Sequence, residues 1–137
     1  NAKKVAMSLS DLFCVERHKQ NFLNLVKKKL DLTFANESEI MSLINTKNFN
    51  EVINFAKEIK KHVIITRGEK GAISIIGDEI TEIKADKNLT IKDLTGAGDL
   101  FAAGYLHGFI NNLPTKECLE QAIKLSSKVI QQIGARL

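Results

Sequence analysis

The chain of 137 residues has little cysteine and proline, has no tryptophan and contains no long apolar run. Two cysteines, Cys14 and Cys118, are too few for a disulfide framework and show no metal-ligand spacing. No stretch reaches the roughly 18 consecutive apolar residues that a membrane-spanning helix needs, and the first residues lack the pattern of a secretory signal. We therefore expect a cytoplasmic protein with no membrane partner.

The charge balance is mildly basic, because 20 Lys and Arg residues face 16 Asp and Glu residues, for a net charge of +4. Two lysine runs, at residues 27–29 and 60–61, stand where helices should end, and cations there complement the helix dipole. A nucleic-acid-binding face would interleave basic and aromatic residues, but the aromatic residues here recur at core-like spacings. We expect no nucleic-acid partner and a single globular domain.

Apolar periodicity predicts an α/β chain without internal repeats. Buried or alternating runs predict strands at Val5–Leu9, Leu32–Ala35, His62–Thr66, Ala72–Ile76 and Glu79–Ile83, with a further short one at Leu89–Ile91. Helical spacing predicts helices at Glu16–Lys29, Glu37–Ile44, Asn48–Lys60 and Gly96–Ile110, and from Thr115 onward. Asn48 and Glu51 are expected to form a capping pair. Strands that alternate with helices in the first half favour a layered sheet.

The sharpest local feature is the segment Asp93–Phe101, DLTGAGDLF, which stands where a long helix should begin. Glycine lets the backbone approach a ligand closely, and the first amides of a helix point outward and form an anion site. We expect Asp99 in the first helical turn, where a general base for an attacking hydroxyl would explain a carboxylate beside an anion site. The alternative is that Asp99 only caps the helix and the glycines only make a turn.

Two common nucleotide motifs are excluded by the same segment and by the rest of the chain. The dinucleotide fingerprint requires Gly or Ala where Phe101 stands. A Walker A loop is not found anywhere in the sequence.

Residues 93–104, DLTGAGDLFAAG, resemble the second signature of the PfkB/ribokinase family of carbohydrate and nucleoside kinases, commonly DTTGAGDxFxxG. Three other segments resemble family motifs in the same order along the chain. Asn36–Glu39 is similar to the N-x-x-E motif, Thr66–Gly71 to the T-x-G-x-x-G nucleotide-binding turn, and Ser126–Ala135 to the helix and turn that flank the adenine. Alone, these segments could be a capping box, an ordinary turn and a core helix, but their joint order favours the family.

The resemblance implies a ribokinase-like three-layer α/β/α sandwich, of which this chain is the C-terminal portion only. Residues 1–137 would form the C-terminal nucleotide-binding and catalytic part of a PfkB-type kinase domain, without its N-terminal substrate and lid part, because the first glycine-rich signature is not found. The start at Asn1 rather than Met agrees with a piece of a longer protein. We expect the fragment alone to be inactive, since acceptor and lid residues that orient the substrate are missing.

The resemblance also implies ATP and Mg²⁺ as cofactors and a hydroxymethyl group of a sugar or nucleoside as the acceptor. Asp99 would be the general base, and the amides of Gly96, Ala97, Gly98 and Asp99 would stabilise the transferring phosphoryl group. Asn36 and Glu39 would hold Mg²⁺ largely through water. The implied nucleotide contacts are Thr66, Gly68, Gly71, Thr95, Gly96, Gly98 and Ser126.

Other details indicate which members of the family the chain is most similar to, but they do not identify the acceptor. The segment around Cys14 and the ending QQIGARL are similar to adenosine-kinase-like or fructokinase-like members. Leu94 stands where the family usually has Thr, so the hydrogen bond of that Thr is missing here. Whether the full-length protein forms a homo-oligomer stays open.

The second hypothesis is a non-catalytic nucleotide- or sugar-binding regulator on the same fold. It predicts loss of Asp99 or of the glycines, and neither is lost.

Overall fold

The computed structural model describes residues 6–8, 18–84 and 95–136, with the side chains of 69, 95–99 and 127–136 excepted. The strands are β1 (Ala6–Ser8), β2 (Leu32–Asn36), β3 (His62–Thr66), β4 (Ala72–Ile76) and β5 (Glu79–Ile83). The helices are α1 (Lys19–Asn24), α2 (Glu37–Leu43), α3 (Phe49–Ile59), α4 (Thr95–Ile110) and α5 (Thr115–Arg136). The predicted strand at Leu89–Ile91 lies outside the described residues.

The strands form one five-stranded sheet in the order β1-β2-β3-β4-β5. β1 runs parallel to β2, with Ala6 opposite Leu32 and Ser8 opposite Phe34. β4 and β5 are joined by the two-residue turn Gly77–Asp78, which only an antiparallel pair can use. The sheet is therefore mixed, and the predicted strands at Ala72–Ile76 and Glu79–Ile83 form a hairpin.

The burial of each strand explains its composition. The first four residues of β2, β3 and β4 are all buried, which suits runs of β-branched and apolar residues covered on both faces. β5, by contrast, is largely exposed and carries Glu79 and Glu82. Charged residues of this kind are typical of a strand at the edge of a sheet.

The first predicted helix ends differently from the expectation. α1 is followed by a π-helical segment, Leu25–Lys29, in which the Leu30 amide donates to the Leu25 carbonyl at 2.8 Å. This segment holds one residue more per hydrogen-bonded turn than an α-helix. Val26 is buried within it, whereas the three lysines that follow are exposed.

Two helix ends also differ in detail. α3 is capped at Asn48 as predicted, but its side chain accepts from the Asn50 amide at 3.0 Å, while the Glu51 amide donates to the Asn48 main-chain carbonyl. Lys60 ends α3 in the left-handed conformation with φ 57°. The backbone of α5 stays helical through Arg136, so the turn predicted at Gly134 and Ala135 is part of the helix.

The chain divides into two compact units, Asn1–Ile65 with Ser74–Ile80, and Thr66–Ile73 with Thr81–Leu137. In the first unit the largest fully buried side chains are Leu32, Ile40, Leu43, Ile64, Ile65 and Ile75. In the second they are Ile73, Phe101, Tyr105 and Leu119. Each such side chain contributes about 1.5–3 kcal/mol of burial free energy.

The first unit also holds a buried polar pair. His62, at the start of β3, is 7% exposed, and its Nε2 lies 2.8 Å from the Oγ of the buried Ser74 in β4. Pairing keeps both polar side chains hydrogen-bonded inside the core. No local sequence pattern predicts this pair, because the partner is fixed by the register between two strands.

In the second unit α4 and α5 are in close contact. Gly104 and Gly108 of α4 are buried, and a Cβ built on Gly104 would lie 2.9 Å from Cα of Ala122 in α5. The absence of a side chain at these two positions, four residues apart, therefore allows the two helices to pack tightly. Among the described residues, no helix is both long and apolar enough to cross a membrane.

Candidate active site

The turn between β3 and β4 contains three of the predicted nucleotide contacts. Thr66 is the last residue of β3, and Gly68 begins a short 3₁₀ turn that ends at Lys70. Gly71, which is buried, follows with φ 95° and ψ −133°, a backbone conformation open essentially to glycine alone. Gly68 also has a positive φ of 58°. The path of the backbone therefore requires glycine at position 71 and favours it at position 68.

Hydrogen bonds within the turn hold this path. The Arg67 amide donates to the Gly71 carbonyl at 2.7 Å, and the Gly71 amide donates back to the Gly68 carbonyl at 3.1 Å. The Lys70 amide donates to the Arg67 carbonyl, also at 3.1 Å. Arg67 is not among the predicted site residues, because T-x-G-x-x-G leaves that position open and the signal lies only in the glycines.

Asn36 and Glu39 lie together where β2 passes into α2. Asn36 is the N-cap, and its Oδ1 accepts from the Glu39 amide at 2.7 Å. Glu39 Oε1 accepts from the Asn36 amide at 2.9 Å, so the pair forms a reciprocal capping box. Glu39 is only 5% exposed. The capping box, which was the alternative interpretation of the N-x-x-E motif, is therefore present. It holds the side chains of Asn36 and Glu39 at the end of β2.

The donor chemistry of this pair fits Mg²⁺, which prefers oxygen ligands and keeps several waters. Each of the two capping hydrogen bonds uses one side-chain oxygen of Asn36 or Glu39. Binding of Mg²⁺ by Asn36 and Glu39 through water agrees with that geometry better than direct ligation of the ion by the same oxygens. Within the parts of the chain that the structure describes, no group of three or more His, Cys, Asp or Glu side chains could hold a metal ion.

The glycine-rich segment begins the long helix α4, as predicted. Thr95, Gly96, Ala97 and Gly98 are its first four residues. The first four amides of a helix have no carbonyl partner within it and carry the positive end of the helix dipole. They are therefore suited to an anion.

The position of Asp99 corrects one expectation. Since α4 starts at Thr95, Asp99 is its fifth residue, and the first turn contains no acidic residue. In a regular helix the fifth amide donates to the carbonyl of the first residue. At this position the Asp99 amide is used within a regular helix, so it is less suited to an anion than the amides that precede it.

The prediction for Ser126 is not supported. Ser126 lies in α5 with no exposed surface, and its hydroxyl donates to the Ile123 carbonyl of the same helix at 3.1 Å. A side chain enclosed in this way has no surface to offer a nucleotide. The apolar spacing around it predicts core, and the structure agrees with that alternative.

The structure therefore brings the predicted residues into three local groups. Asn36 and Glu39 form a capping box in the first unit. In the second unit Thr66, Gly68 and Gly71 shape one turn, and the segment from Thr95 to Asp99 starts α4.

A mixed sheet joined by helices, with a glycine-shaped turn and a glycine-rich helix start, defines an α/β protein with a candidate phosphate site. The family model described as pfkB family carbohydrate kinase matches residues 1–137. The chain belongs to this family.

Solved structures support the same fold. The adenosine kinase from Sinorhizobium meliloti superposes with a TM-score of 0.88 at 34% identity, covering 96% of this chain and 40% of that one. A probable sugar kinase protein from Rhizobium etli CFN 42 gives a TM-score of 0.89 at 37% identity, with the same coverage. The ribokinase-like α/β fold predicted from the sequence is confirmed.

Among curated relatives, the cytidine kinase of Thermococcus kodakarensis is 27% identical over 138 residues. The match covers 96% of this chain but 49% of the relative. The chain thus spans about half the length of this kinase and about two fifths of the two solved structures.

Proposed function

We propose that this chain is the C-terminal, nucleotide-binding and catalytic part of a kinase that transfers a phosphoryl group from ATP to a hydroxymethyl group of a sugar or nucleoside. The observation that carries the proposal is the segment Gly96–Asp99, which places three small residues and a carboxylate at the start of a 16-residue helix. The kinases among its relatives support the same reaction class.

In this mechanism the amides of Gly96, Ala97 and Gly98 stabilise negative charge on the γ-phosphoryl group as it moves. Asp99 accepts the proton of the acceptor hydroxyl. At the same time the hydroxyl oxygen forms the new bond to phosphorus, and the bond between phosphorus and the ADP oxygen breaks. Asp99 lies one residue beyond these amides along the helix. We thereby assign proton transfer to the Asp99 carboxylate and stabilisation of the phosphoryl group to the backbone amides that precede it.

The nucleotide is assigned to the turn that follows β3, through Thr66, Gly68 and Gly71, together with Thr95. Gly71 is buried, so its contribution is the shape of the turn. Mg²⁺ would neutralise phosphate charge, and Asn36 and Glu39 would hold it through water. The capping box supports this assignment because it fixes both side chains before any ligand binds.

The acceptor site is assigned to a part of the kinase outside these 137 residues, since the chain spans about half of its cytidine kinase relative. We expect the 137-residue chain alone to show no useful turnover. A coupled ADP-release assay with adenosine, cytidine, ribose and fructose would check this, and robust turnover by the isolated chain would contradict it.

The decisive experiment is Asp99→Asn in the complete kinase. Loss of the general base should lower kcat by about 10²–10⁴-fold, with ATP binding retained in a direct binding measurement. If kcat stays unchanged, Asp99 is not the base. If the wild-type protein binds ATP but phosphorylates none of the acceptors, the non-catalytic regulator is the better description.

A further inference from the structure

The contact between α4 and α5 is made by backbone at one point. The Cβ that a larger residue would add at Gly104 lies 2.9 Å from Cα of Ala122 and 3.1 Å from the carbonyl oxygen of Gln121. Both opposing atoms belong to the backbone of α5. No change of side-chain rotamer could make room, so an added Cβ must move one helix away from the other.

A second close contact lies one turn further along α4. A Cβ at Gly108 would lie 3.0 Å from Sγ and 3.2 Å from Cα of Cys118. Here the nearest atom is a side-chain sulfur, which can yield in part. Two contacts four residues apart fix both the separation of the helices and the direction of the α4 axis.

We propose that Gly104 and Gly108 are positioning residues, which hold the start of α4 in register for phosphoryl transfer by fixing α4 against α5. The inference rests on the proposed function, since it assigns the reacting groups to Gly96–Asp99. Gly104 lies eight residues, or about 12 Å, from Gly96 along one continuous helix. Because hydrogen bonds hold α4 together, a displacement at Gly104 also moves the catalytic amides at the start of the helix.

The size of the effect follows from the contact distance. Ordinary contact of a Cβ begins near 3.4 Å, so Gly104→Ala requires a shift of about 0.5 Å at the 2.9 Å contact. A misplacement of 1 Å can lower a rate by about 10²-fold. Half that displacement predicts a fall in kcat of about tenfold for Gly104→Ala, and a smaller one for Gly108→Ala.

The test compares these variants with a matched glycine in the complete kinase. Gly77 is in the β4–β5 turn with φ 56°, and an added Cβ there has no atom within 4 Å. Gly77→Ala therefore strains the backbone and lowers the melting temperature without pressing on α4. We expect Gly77→Ala to keep the wild-type kcat and Gly104→Ala to lose about tenfold, with KM for the acceptor unchanged in both.

A rescue experiment separates positioning from general damage. Cys118→Ala removes the sulfur that Gly108→Ala would meet, so the double variant should recover part of the lost kcat. The same Cys118→Ala change should not rescue Gly104→Ala, whose contact is with Ala122 and Gln121. The Gly108 pair also keeps the test informative if Gly104→Ala does not fold.

Two results would overturn the inference. One is a kcat for Gly104→Ala and Gly108→Ala within twofold of wild type. The other is an equal loss of kcat in Gly77→Ala at matched melting temperature, which would make the effect one of stability alone. Asp99→Asn, measured in parallel, distinguishes the two proposals: if it is fully active, Asp99 is not the general base, and if the wild-type protein phosphorylates no acceptor, the proposed function fails. An inactive Asp99→Asn beside a normal Gly104→Ala refutes only the positioning role.

Discussion

The capping box allows the structural role of Glu39 and its proposed metal-binding role to be separated by one substitution. Glu39→Gln keeps a side-chain oxygen that can accept from the Asn36 amide, so the box is retained while the charge is removed. The charge near the helix start is worth about 0.3–1 kcal/mol, so the free energy of unfolding should stay within about 1 kcal/mol of wild type. Glu39→Ala deletes the acceptor of a part-buried amide and should lose about 1–3 kcal/mol.

Two assays on the complete kinase test this reasoning. Urea unfolding measures the stability difference between Glu39→Gln and Glu39→Ala, and a Mg²⁺ titration of activity measures the charge effect. We expect Glu39→Gln to need more Mg²⁺ for half-maximal rate, because the negative charge that attracts a hydrated cation is gone. Glu37→Gln is the matched control, since it removes an equal charge from the same helical turn but leaves the box intact.

Different results would refute the stability effect and the Mg²⁺ effect of Glu39. Equal stability of Glu39→Gln and Glu39→Ala would show that the side-chain acceptor of the box contributes nothing. An equal rise in the Mg²⁺ requirement for Glu37→Gln and Glu39→Gln would show a general charge effect and would contradict the proposed metal-binding role of Glu39.

Three further predictions concern the turn and the core. Gly71→Ala should lower the free energy of unfolding by about 1–3 kcal/mol, because φ 95° with ψ −133° is strained for any side chain; an unchanged urea midpoint would contradict this conformation. Ser74→Ala should lose about 1–3 kcal/mol by removing the hydroxyl that pairs with His62, and urea unfolding with no loss would show that the pair contributes nothing. Burial raises the pKa of the Cys118 thiol, so less thiolate forms at a given pH, and alkylation followed by mass spectrometry should be slower than in urea; equal rates would refute its enclosure.

Much of the fold could be predicted because its signals are local. HVIIT is β3, the Gly77–Asp78 pair makes the hairpin turn, and the apolar stripe beginning at Phe49 is α3. In these segments the side-chain period and the turn residues specify the same structure as the tertiary packing.

The remaining features depend on information that the local pattern does not contain. The π-helical segment differs from an α-helix by one residue in its hydrogen bonding, and apolar spacing over five residues does not resolve that difference. The His62 partner depends on strand register. At the site, the motifs located the capping box and the glycine-shaped turn, but for Ser126 the motif and the apolar spacing favoured different roles, and only the burial of the folded helix decides between them.

The wide turn at Leu25–Lys29 has a consequence for how this chain tolerates changes in length. The Leu25 carbonyl is reached by the Leu30 amide five residues later, and the exposed lysines between them carry the surplus residue. If Lys28 were deleted, the Leu30 amide would donate to a carbonyl four residues earlier, as in an ordinary α-helix. Leu30 and β2 could then keep their places, so a one-residue deletion at this point would be absorbed locally instead of shifting the sheet.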